Sequence, residues 1–236
     1  MISDYERIKN RIEKIMTYKW TSDEVDRIQF NGRYQLQSQS PCCCCRLGLL
    51  NPEALRVTGY IGKGSFGEVY LVDFGENKTS FALKAVDKAK MIGKQRLYIV
   101  DERRIMSCVS HPFLVQCLGH WQTRTHLYFI MEYVDGNDLY NLLTEKGYFG
   151  RNVSTFFLSE VLVSLEYLHN LGVVYRDLKL ENILVDSTGH IKIVDFGFSK
   201  KMETSSTMCG TSEYCAPELF TGEQYDKGKY ITQYEF

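Results

Sequence analysis

The chain has 236 residues, and its 28 basic and 29 acidic side chains give a formal net charge of −1, which provides no electrostatic footprint for nucleic acid. Its 44% hydrophobic and 24% charged residues are typical of globular proteins. Because no apolar run approaches the roughly 20 residues of a membrane span and the N-terminus lacks the apolar core of a signal peptide, we expect no transmembrane segment and a cytoplasmic location.

The first 55 residues differ in pattern from the rest of the chain. Residues 1–20 predict an amphipathic helix, since apolar residues recur at helical spacing, namely Ile2, Tyr5, Ile8, Ile12 and Ile15. Docking on the body of the protein is favoured over a membrane-surface role because acids and bases are mixed on the polar face. Residues 21–55 lose this periodicity and are interpreted as a low-complexity linker. The four adjacent cysteines Cys42–Cys45 lie in it; adjacent cysteines wrap a zinc ion poorly, so a linker is favoured over a metal site or an S-acylation site.

A glycine-rich run, VTGYIGKGSFGEVYLVDF, opens the compact part of the chain. Its spacing is G-x-G-x-x-G-x-V, with Gly62, Gly64 and Gly67 followed by Val69. Glycines let a backbone approach phosphate oxygens closely. Dinucleotide-binding folds share this spacing, and a glycine-rich hairpin can be a simple turn, but a dinucleotide fold continues from the last glycine into a helix. Here the run continues as a strand, which favours a β-hairpin lid.

The next strand and helix each carry a charge among apolar residues. Lys84 lies in the β-rich run SFALKAVDK, and Glu102 shares a helical face with Ile99, Met106 and Val109. A lysine in a strand is usually a surface charge, but an acid on an apolar face is unfavourable unless it is paired. A Lys84–Glu102 pair accounts for both residues and would hold the lysine against nucleotide phosphates.

The run YRDLKLEN, residues 175–182, is a charged loop between the apolar runs LGVVY and ILVD. It can be interpreted as a surface turn, but its flanks favour a loop clamped between buried strands. With the downstream DFG at Asp195–Gly197 and APE at Ala216–Glu218, the chain resembles the eukaryotic protein kinases from about Val57 to Lys227. The resemblance implies an α+β, two-lobed fold. We expect an antiparallel β-sheet N-lobe with one key helix and the hinge over 56–134, and a mainly helical C-lobe over 135–236 that is incomplete at its C-terminus.

The same resemblance implies ATP and Mg2+ as cofactors and a set of catalytic roles. Asp177 is expected to accept the proton of the substrate hydroxyl, Lys179 to meet the γ-phosphate, and Asn182 and Asp195 to supply oxygen ligands for magnesium. Residues expected to bind the nucleotide lie in the glycine-rich loop, the neighbouring strands and the hinge, and they are Gly62, Gly64, Phe66, Gly67, Val69, Ala82, Lys84, Met131, Glu132, Val134 and Leu184.

Three features narrow the subgroup: Tyr175 in place of the usual histidine, GHIKIVDFGFSK and HPFLV. They resemble the cyclic-nucleotide-dependent and related (AGC) serine/threonine kinases, and among them the cAMP-dependent catalytic subunits. This implies protein substrates with serine or threonine near basic residues. Asp138 and Glu181 match acidic positions that hold an upstream arginine, although either could equally be a solvated surface charge.

The resemblance also implies regulation by phosphorylation. Thr207 matches the activating phosphorylation position, and a phosphate there would be held by Arg176 and Lys200. Thr211 is expected to bond near the catalytic base. Tyr98 occupies a helix position from which relatives contribute a basic residue, so coupling between the phosphate and Glu102 is expected to be weaker. An activating kinase and a regulatory subunit are possible partners.

The final residues, GKYITQYEF, depart from the kinase pattern after Lys227. Relatives continue into a long buried helix, so we expect a truncated chain, from an alternative transcript, a shifted frame or a wrong gene model, that aggregates or is weakly active. The alternative function is a non-catalytic, truncated relative that acts as a nucleotide-binding decoy or regulator. The intact set of catalytic residue types favours the kinase.

Overall fold

The computed structural model describes residues 55–64, 67–75, 79–91, 95–201, 204–205 and 225–226, with side chains up to residue 200 except those of 95–97. The predictions for residues 1–54 and for Phe66, Thr207 and Thr211 therefore lie outside the described residues. The described part divides into two compact units, one with residues 55–91 and 117–133 and the other with 95–116 and the residues from 134 onward.

The first unit is built on a five-stranded antiparallel sheet with the strand order β1-β2-β3-β5-β4. Its strands are β1 (Leu55–Lys63), β2 (Glu68–Phe74), β3 (Thr79–Asp87), β4 (Cys117–Gln122) and β5 (His126–Glu132), and a 3-10 turn, Lys88–Lys90, follows β3. Because side chains alternate between the two faces of a strand, every second residue contributes to one core. That core contains Tyr70, Val72, Leu83, Ala85, Trp121, Tyr128 and Ile130.

The second unit combines helices with short strands. In chain order its elements are α1 (Gln95–Cys108), β6 (Gly136–Asp138), α2 (Leu139–Lys146), α3 (Arg151–Asn170), β7 (Val173–Val174), β8 (Ile183–Asp186), β9 (Ile191–Ile193), β10 (Lys200–Lys201), β11 (Thr204–Ser205) and β12 (Tyr225–Asp226). The strands form the sheets β6-β8-β9, β10-β7 and β11-β12. An antiparallel sheet in one unit and helices in the other give the predicted α+β kinase-like architecture.

The helix α3 ends where the sequence predicted. Its last residue is Asn170, and Gly172 adopts a φ of +72°, a left-handed conformation that glycine accepts without steric strain. Val161, Leu165 and Leu168 of the predicted apolar face are buried. Of the helices that the structure describes, none has both the length and the apolar character needed to cross a membrane.

Residues 95–116 group with the second unit, and the predicted lobes over 56–134 and 135–236 stay a prediction. Backbone hydrogen bonds join the end of this segment to β9. Ile193 donates its backbone N–H to Phe113 O at 2.9 Å, and Val115 donates to Ile193 O at 2.9 Å. The N–H of Ser110 also donates to the Tyr167 hydroxyl on α3, at 3.0 Å.

Candidate active site

The predicted catalytic loop is the segment 175–182, which connects β7 to β8. Both of its ends are anchored in paired strands, because β7 pairs with β10 and β8 pairs with β6 and β9. A 3-10 turn, Leu180–Asn182, closes the loop, and Asn182 donates its backbone N–H to Lys179 O at 3.0 Å. The segment is therefore clamped between strands, as its apolar flanks predicted.

Three predicted residues, Asp177, Lys179 and Asn182, meet within this loop. The Nζ of Lys179 lies 3.1 Å from Asp177 Oδ2, and the Nδ2 of Asn182 donates to the same oxygen at 3.0 Å. Asn182 Nδ2 also donates to the Asp177 backbone carbonyl at 2.8 Å. The carboxylate is 1% exposed and the lysine side chain is 21% exposed. The carboxylate is thus oriented by a cation and an amide, while the Lys179 side chain stays partly exposed to solvent.

The orienting contact from Asn182 was not predicted, since the sequence indicated this residue as a metal ligand alone. The spacing of five residues carries no periodic signal, and the contact depends on the turn at Leu180–Asn182. Both hydrogen bonds use the amide nitrogen. The amide oxygen is consequently the atom that would contact a cation.

Asp195 follows β9, and the residue before it is hydrogen-bonded to the backbone of Asn182. Val194 donates its N–H to Asn182 O at 2.9 Å, so the two predicted metal ligands lie on bonded segments. Asp195 has a φ of 59°, which is uncommon for a residue other than glycine, and its Oδ1 accepts the Gly197 N–H at 3.3 Å. The fully buried Phe196 that follows it fixes this segment in the unit.

The donor set fits magnesium. Mg2+ prefers hard oxygen ligands and is usually held by one or two carboxylates together with water and substrate phosphates. The amide oxygen of Asn182 and the carboxylate of Asp195 have this character. Among the described residues, histidine, cysteine, aspartate and glutamate form no group of three or more that could hold a metal ion. Two oxygens of this kind would leave the other positions around a magnesium ion to water and phosphate oxygens.

The side chains of Tyr175 and Arg176 tie the start of the loop to the segment that follows Asp195. The Tyr175 hydroxyl donates to Val194 O, and the Tyr175 carbonyl accepts from Ser199 Oγ at 3.1 Å. Arg176 is 2% exposed, and its Nε donates to Phe198 O at 2.6 Å. Lys200, the second predicted phosphate ligand, pairs with Val174 in the β7-β10 ladder.

In the first unit, one face of the sheet carries Lys84 and several predicted nucleotide-binding residues. Lys84 lies opposite Val69 on β2 and opposite Phe129 on β5, and Ala82 lies opposite Met131. Directly opposite residues of an antiparallel pair share a face, as do residues two apart along a strand. The sheet therefore brings Val69, Ala82, Lys84 and Met131 to a single face.

The predicted partners Lys84 and Glu102 are both buried, at 3% and 0% exposure. Lys84 lies on β3 in the first unit, and Glu102 lies on α1 in the second. The burial of both charged groups agrees with the physical reason for the proposed pair. The pair itself stays a prediction.

The glycine-rich run forms the hairpin between β1 and β2, as predicted. Gly64 donates its N–H to Gly67 O at 2.8 Å. A Cβ at Gly67 would overlap the backbone carbonyl of Ala85 on β3, whereas a Cβ at Gly62 would meet nothing within 4 Å. The close packing of strands therefore requires glycine at position 67, and the fold places no such demand on Gly62.

The remaining predicted residues lie around β5, β6 and β8. Glu132 ends β5, Val134 is half-buried just before β6, and Leu184 on β8 lies opposite Asp138. Asp138 is the N-cap of α2, where its side chain accepts the Asn141 N–H at 2.8 Å, a capping role that the sequence reasoning missed.

Glu181 is exposed on the 3-10 turn that packs against β6 and α2. The two acids predicted to bind a substrate arginine, Asp138 and Glu181, thus lie on neighbouring elements.

The family model for the protein kinase domain matches residues 55–230. The chain belongs to this family. It is 43% identical over 170 residues to a cAMP-dependent protein kinase catalytic subunit of Schizosaccharomyces pombe. The aligned region covers 71% of this chain and 33% of that protein. It is also 43% identical to cAMP-dependent protein kinase type 3 of Saccharomyces cerevisiae, over 71% of this chain and 42% of that protein.

A putative serine/threonine-protein kinase of Homo sapiens is 41% identical, over 71% of this chain and 61% of the human protein. These names agree with the predicted resemblance to AGC-type serine/threonine kinases and to cAMP-dependent catalytic subunits. The chain spans about one third to three fifths of the length of these curated relatives.

Proposed function

We propose that the chain transfers the γ-phosphoryl group of ATP to serine and threonine hydroxyls of proteins, and that it prefers hydroxyls with basic residues upstream. The observation that carries this proposal is the buried Asp177 carboxylate, held by Lys179 Nζ at 3.1 Å and Asn182 Nδ2 at 3.0 Å. A carboxylate fixed in this way can orient an alcohol and accept its proton as the new phosphate ester forms.

The two basic side chains have distinct roles in this proposal. Lys179 is 21% exposed, so its ammonium group can meet a γ-phosphate while it also holds Asp177. Lys84 would contact the other phosphates, kept in place by Glu102. Because phosphoryl transfer involves little covalent work by the protein, positioning and charge neutralisation account for most of the rate.

Asn182 and Asp195 would hold magnesium, which neutralises phosphate charge when it is bound. The face that carries Val69, Ala82 and Met131 offers apolar contacts for the adenine ring, with Leu184 as a further contact. The backbone of Glu132 and Val134 would supply the hydrogen bonds of the hinge.

Asp138 and Glu181 would select substrates by pairing with an arginine upstream of the target hydroxyl. The solvent exposure of Glu181 supports this assignment. Thr207 would be the activating phosphorylation site and Thr211 a contact near Asp177. We also propose a cytoplasmic location, an activating kinase and a regulatory subunit as partners, by analogy with the cAMP-dependent kinases.

The test combines a transfer assay with a matched pair of variants. The purified chain receives Mg2+, ATP labelled at the γ-phosphate, and peptides that carry serine or tyrosine behind either arginine or neutral residues. We expect label on the serine peptide with upstream arginine. Asp177→Asn should lower transfer about 10²- to 10⁴-fold, whereas Glu166→Gln, the same chemical change at an exposed position of α3, should leave it unchanged.

Equal transfer by Asp177→Asn and the unchanged chain would contradict the assigned base. Binding of Mg2+–ATP without transfer to any peptide would instead support the alternative, a nucleotide-binding relative that does not catalyse. Preference for the neutral peptide would contradict the roles of Asp138 and Glu181 and leave the assignment of Asp177 intact.

A further inference from the structure

An aromatic side chain lies against the arginine that precedes the proposed base. The guanidinium carbon of Arg176 is 5.9 Å from the centroid of the Tyr98 ring, within the distance at which a cation and an aromatic face attract each other. The Tyr98 ring also meets Phe198 edge-on, with centroids 6.0 Å apart. Phe198 in turn accepts the Arg176 Nε–H through its backbone oxygen.

These three residues come from three separate segments of the second unit. Tyr98 lies on α1, Arg176 begins the catalytic loop, and Phe198 follows the Asp195-Phe196-Gly197 turn. Tyr98 is four residues before Glu102, so the two side chains share one face of α1. The aromatic contact therefore links the helix that carries Glu102 to the backbone on both sides of the proposed site.

Two properties of Arg176 make this contact important for the backbone of the loop. It is 2% exposed, and a buried guanidinium must replace its hydration with polar or π partners. Its φ is 69°, a left-handed conformation that is unfavourable for a residue with a Cβ and persists when surrounding contacts impose it. A partner that fixes the side chain of Arg176 thereby also fixes the backbone from which Asp177 projects.

We propose that Tyr98 is a positioning residue of the catalytic loop: its ring holds the Arg176 guanidinium, and this contact sets the orientation of Asp177. The proposal rests on the function proposed above, in which Asp177 is the base. A cation–π contact of this kind attracts through the electron density of the ring face, so its strength falls when that density is withdrawn. A packing contact of the same shape has no such dependence.

The primary test varies ring electron density and needs no catalysis. Tyr98 is replaced by phenylalanine and by mono-, di- and trifluorinated phenylalanines, which are introduced by codon reassignment. Tyr98→Leu, which has no aromatic ring, completes the series. Hydrogen exchange of the backbone amides of residues 174–178 is measured without nucleotide. We expect exchange to rise stepwise with each fluorine, and to reach about two- to thirtyfold faster than the starting protein in Tyr98→Leu.

The control is the same series in an Arg176→Met background, where the dependence on fluorine should vanish because the Arg176 cation is removed. A flat response in the arginine background would overturn the proposal, even if Tyr98→Leu exchanges faster, since that pattern indicates packing alone. A stepwise response that persists in Arg176→Met would also overturn it, because Phe198 rather than Arg176 would then be the partner of the ring.

A second arm measures transfer. In Tyr98→Leu we expect kcat to fall about two- to thirtyfold with little change in KM for ATP, and Tyr98→Leu should add no further loss to Arg176→Met. Additive losses would contradict the proposed route through Arg176. If no form of the chain transfers phosphate, the proposed function fails, but the exchange series still decides whether Tyr98 holds Arg176.

Discussion

Replacement of Glu160 should destabilise the second unit more than any exposed change on α3. The Glu160 side chain is 7% exposed and accepts two hydrogen bonds, from the Ile191 N–H at 2.9 Å and from His190 Nδ1 at 2.6 Å. Because Ile191 is fully buried, removal of the carboxylate leaves its N–H without this acceptor. A hydrogen bond to a charged group contributes about 1.5–3 kcal/mol.

The contact with His190 contributes less, because that side chain is 51% exposed and ion pairs near water contribute about 0–1 kcal/mol. We therefore expect Glu160→Ala to lower the free energy of unfolding by about 2–4 kcal/mol and His190→Ala by less than about 1 kcal/mol. Glu160→Gln, which keeps an acceptor oxygen for Ile191, should fall between them.

The assay is urea unfolding monitored by circular dichroism, with Glu166→Ala on the exposed side of α3 as the matched control, expected to change stability by less than about 0.5 kcal/mol. If Glu160→Ala cost no more than Glu166→Ala, the carboxylate would not anchor β9. If His190→Ala cost as much as Glu160→Ala, the histidine contact rather than the backbone N–H would be the main interaction.

Three further predictions follow from local geometry. Gly67→Ala should lower the urea midpoint because its methyl group would overlap a backbone carbonyl of β3, whereas Gly62→Ala, with open space around it, should not; equal midpoints would contradict the close approach. Burial and the Lys192 ammonium lower the pKa of His111 below the ordinary imidazole pKa of 6.5. The unfolded chain therefore binds more protons than the folded chain near and below that pH, and stability should fall as the pH drops from 7.5 to 5.5. Lys192→Met should reduce this fall, and an unchanged difference between the two urea midpoints would exclude its influence on His111. Chelation of Mg2+ with excess EDTA should abolish transfer while the circular dichroism spectrum stays the same, and transfer that persists would contradict the assignment of the metal ligands.

Local patterns were sufficient to predict much of the fold. The glycine spacing followed by a strand predicted the β1–β2 hairpin, and in the structure Leu55–Lys63 pairs antiparallel with Glu68–Phe74. The apolar stripe of α3 and its end near Gly172 were predicted from helical periodicity and the conformational freedom of glycine. Both depend on interactions between residues near in sequence, which is why a pattern of residue types can reveal them.

Contacts between distant segments were harder to predict. The reasoning that singled out Glu102, an acid on an apolar helix face, applies equally to Glu160, which lies beside Val161 and three residues after Phe157. That signal was present in the sequence, but the partner 31 residues away, the N–H of Ile191, carries no residue-specific mark. The backbone bonds that join Phe113 and Val115 to Ile193 on β9 are likewise encoded by no side-chain pattern.

Two residues at or beside the proposed catalytic groups, Arg176 and Asp195, have unfavourable backbone conformations. In the part of the chain that the structure describes, these two are the non-glycine residues with positive φ, and each such conformation costs roughly 1–2 kcal/mol. Each is accompanied by a hydrogen bond: a long-range one from Arg176 Nε to Phe198 O, and a local one from the Gly197 N–H to Asp195 Oδ1, two residues apart. One strained residue directly precedes the proposed proton acceptor, Asp177, and the other is a proposed metal ligand, so the surrounding contacts must outweigh the strain for this geometry to persist. A variant that weakens those contacts should therefore lose catalytic geometry before it loses the fold.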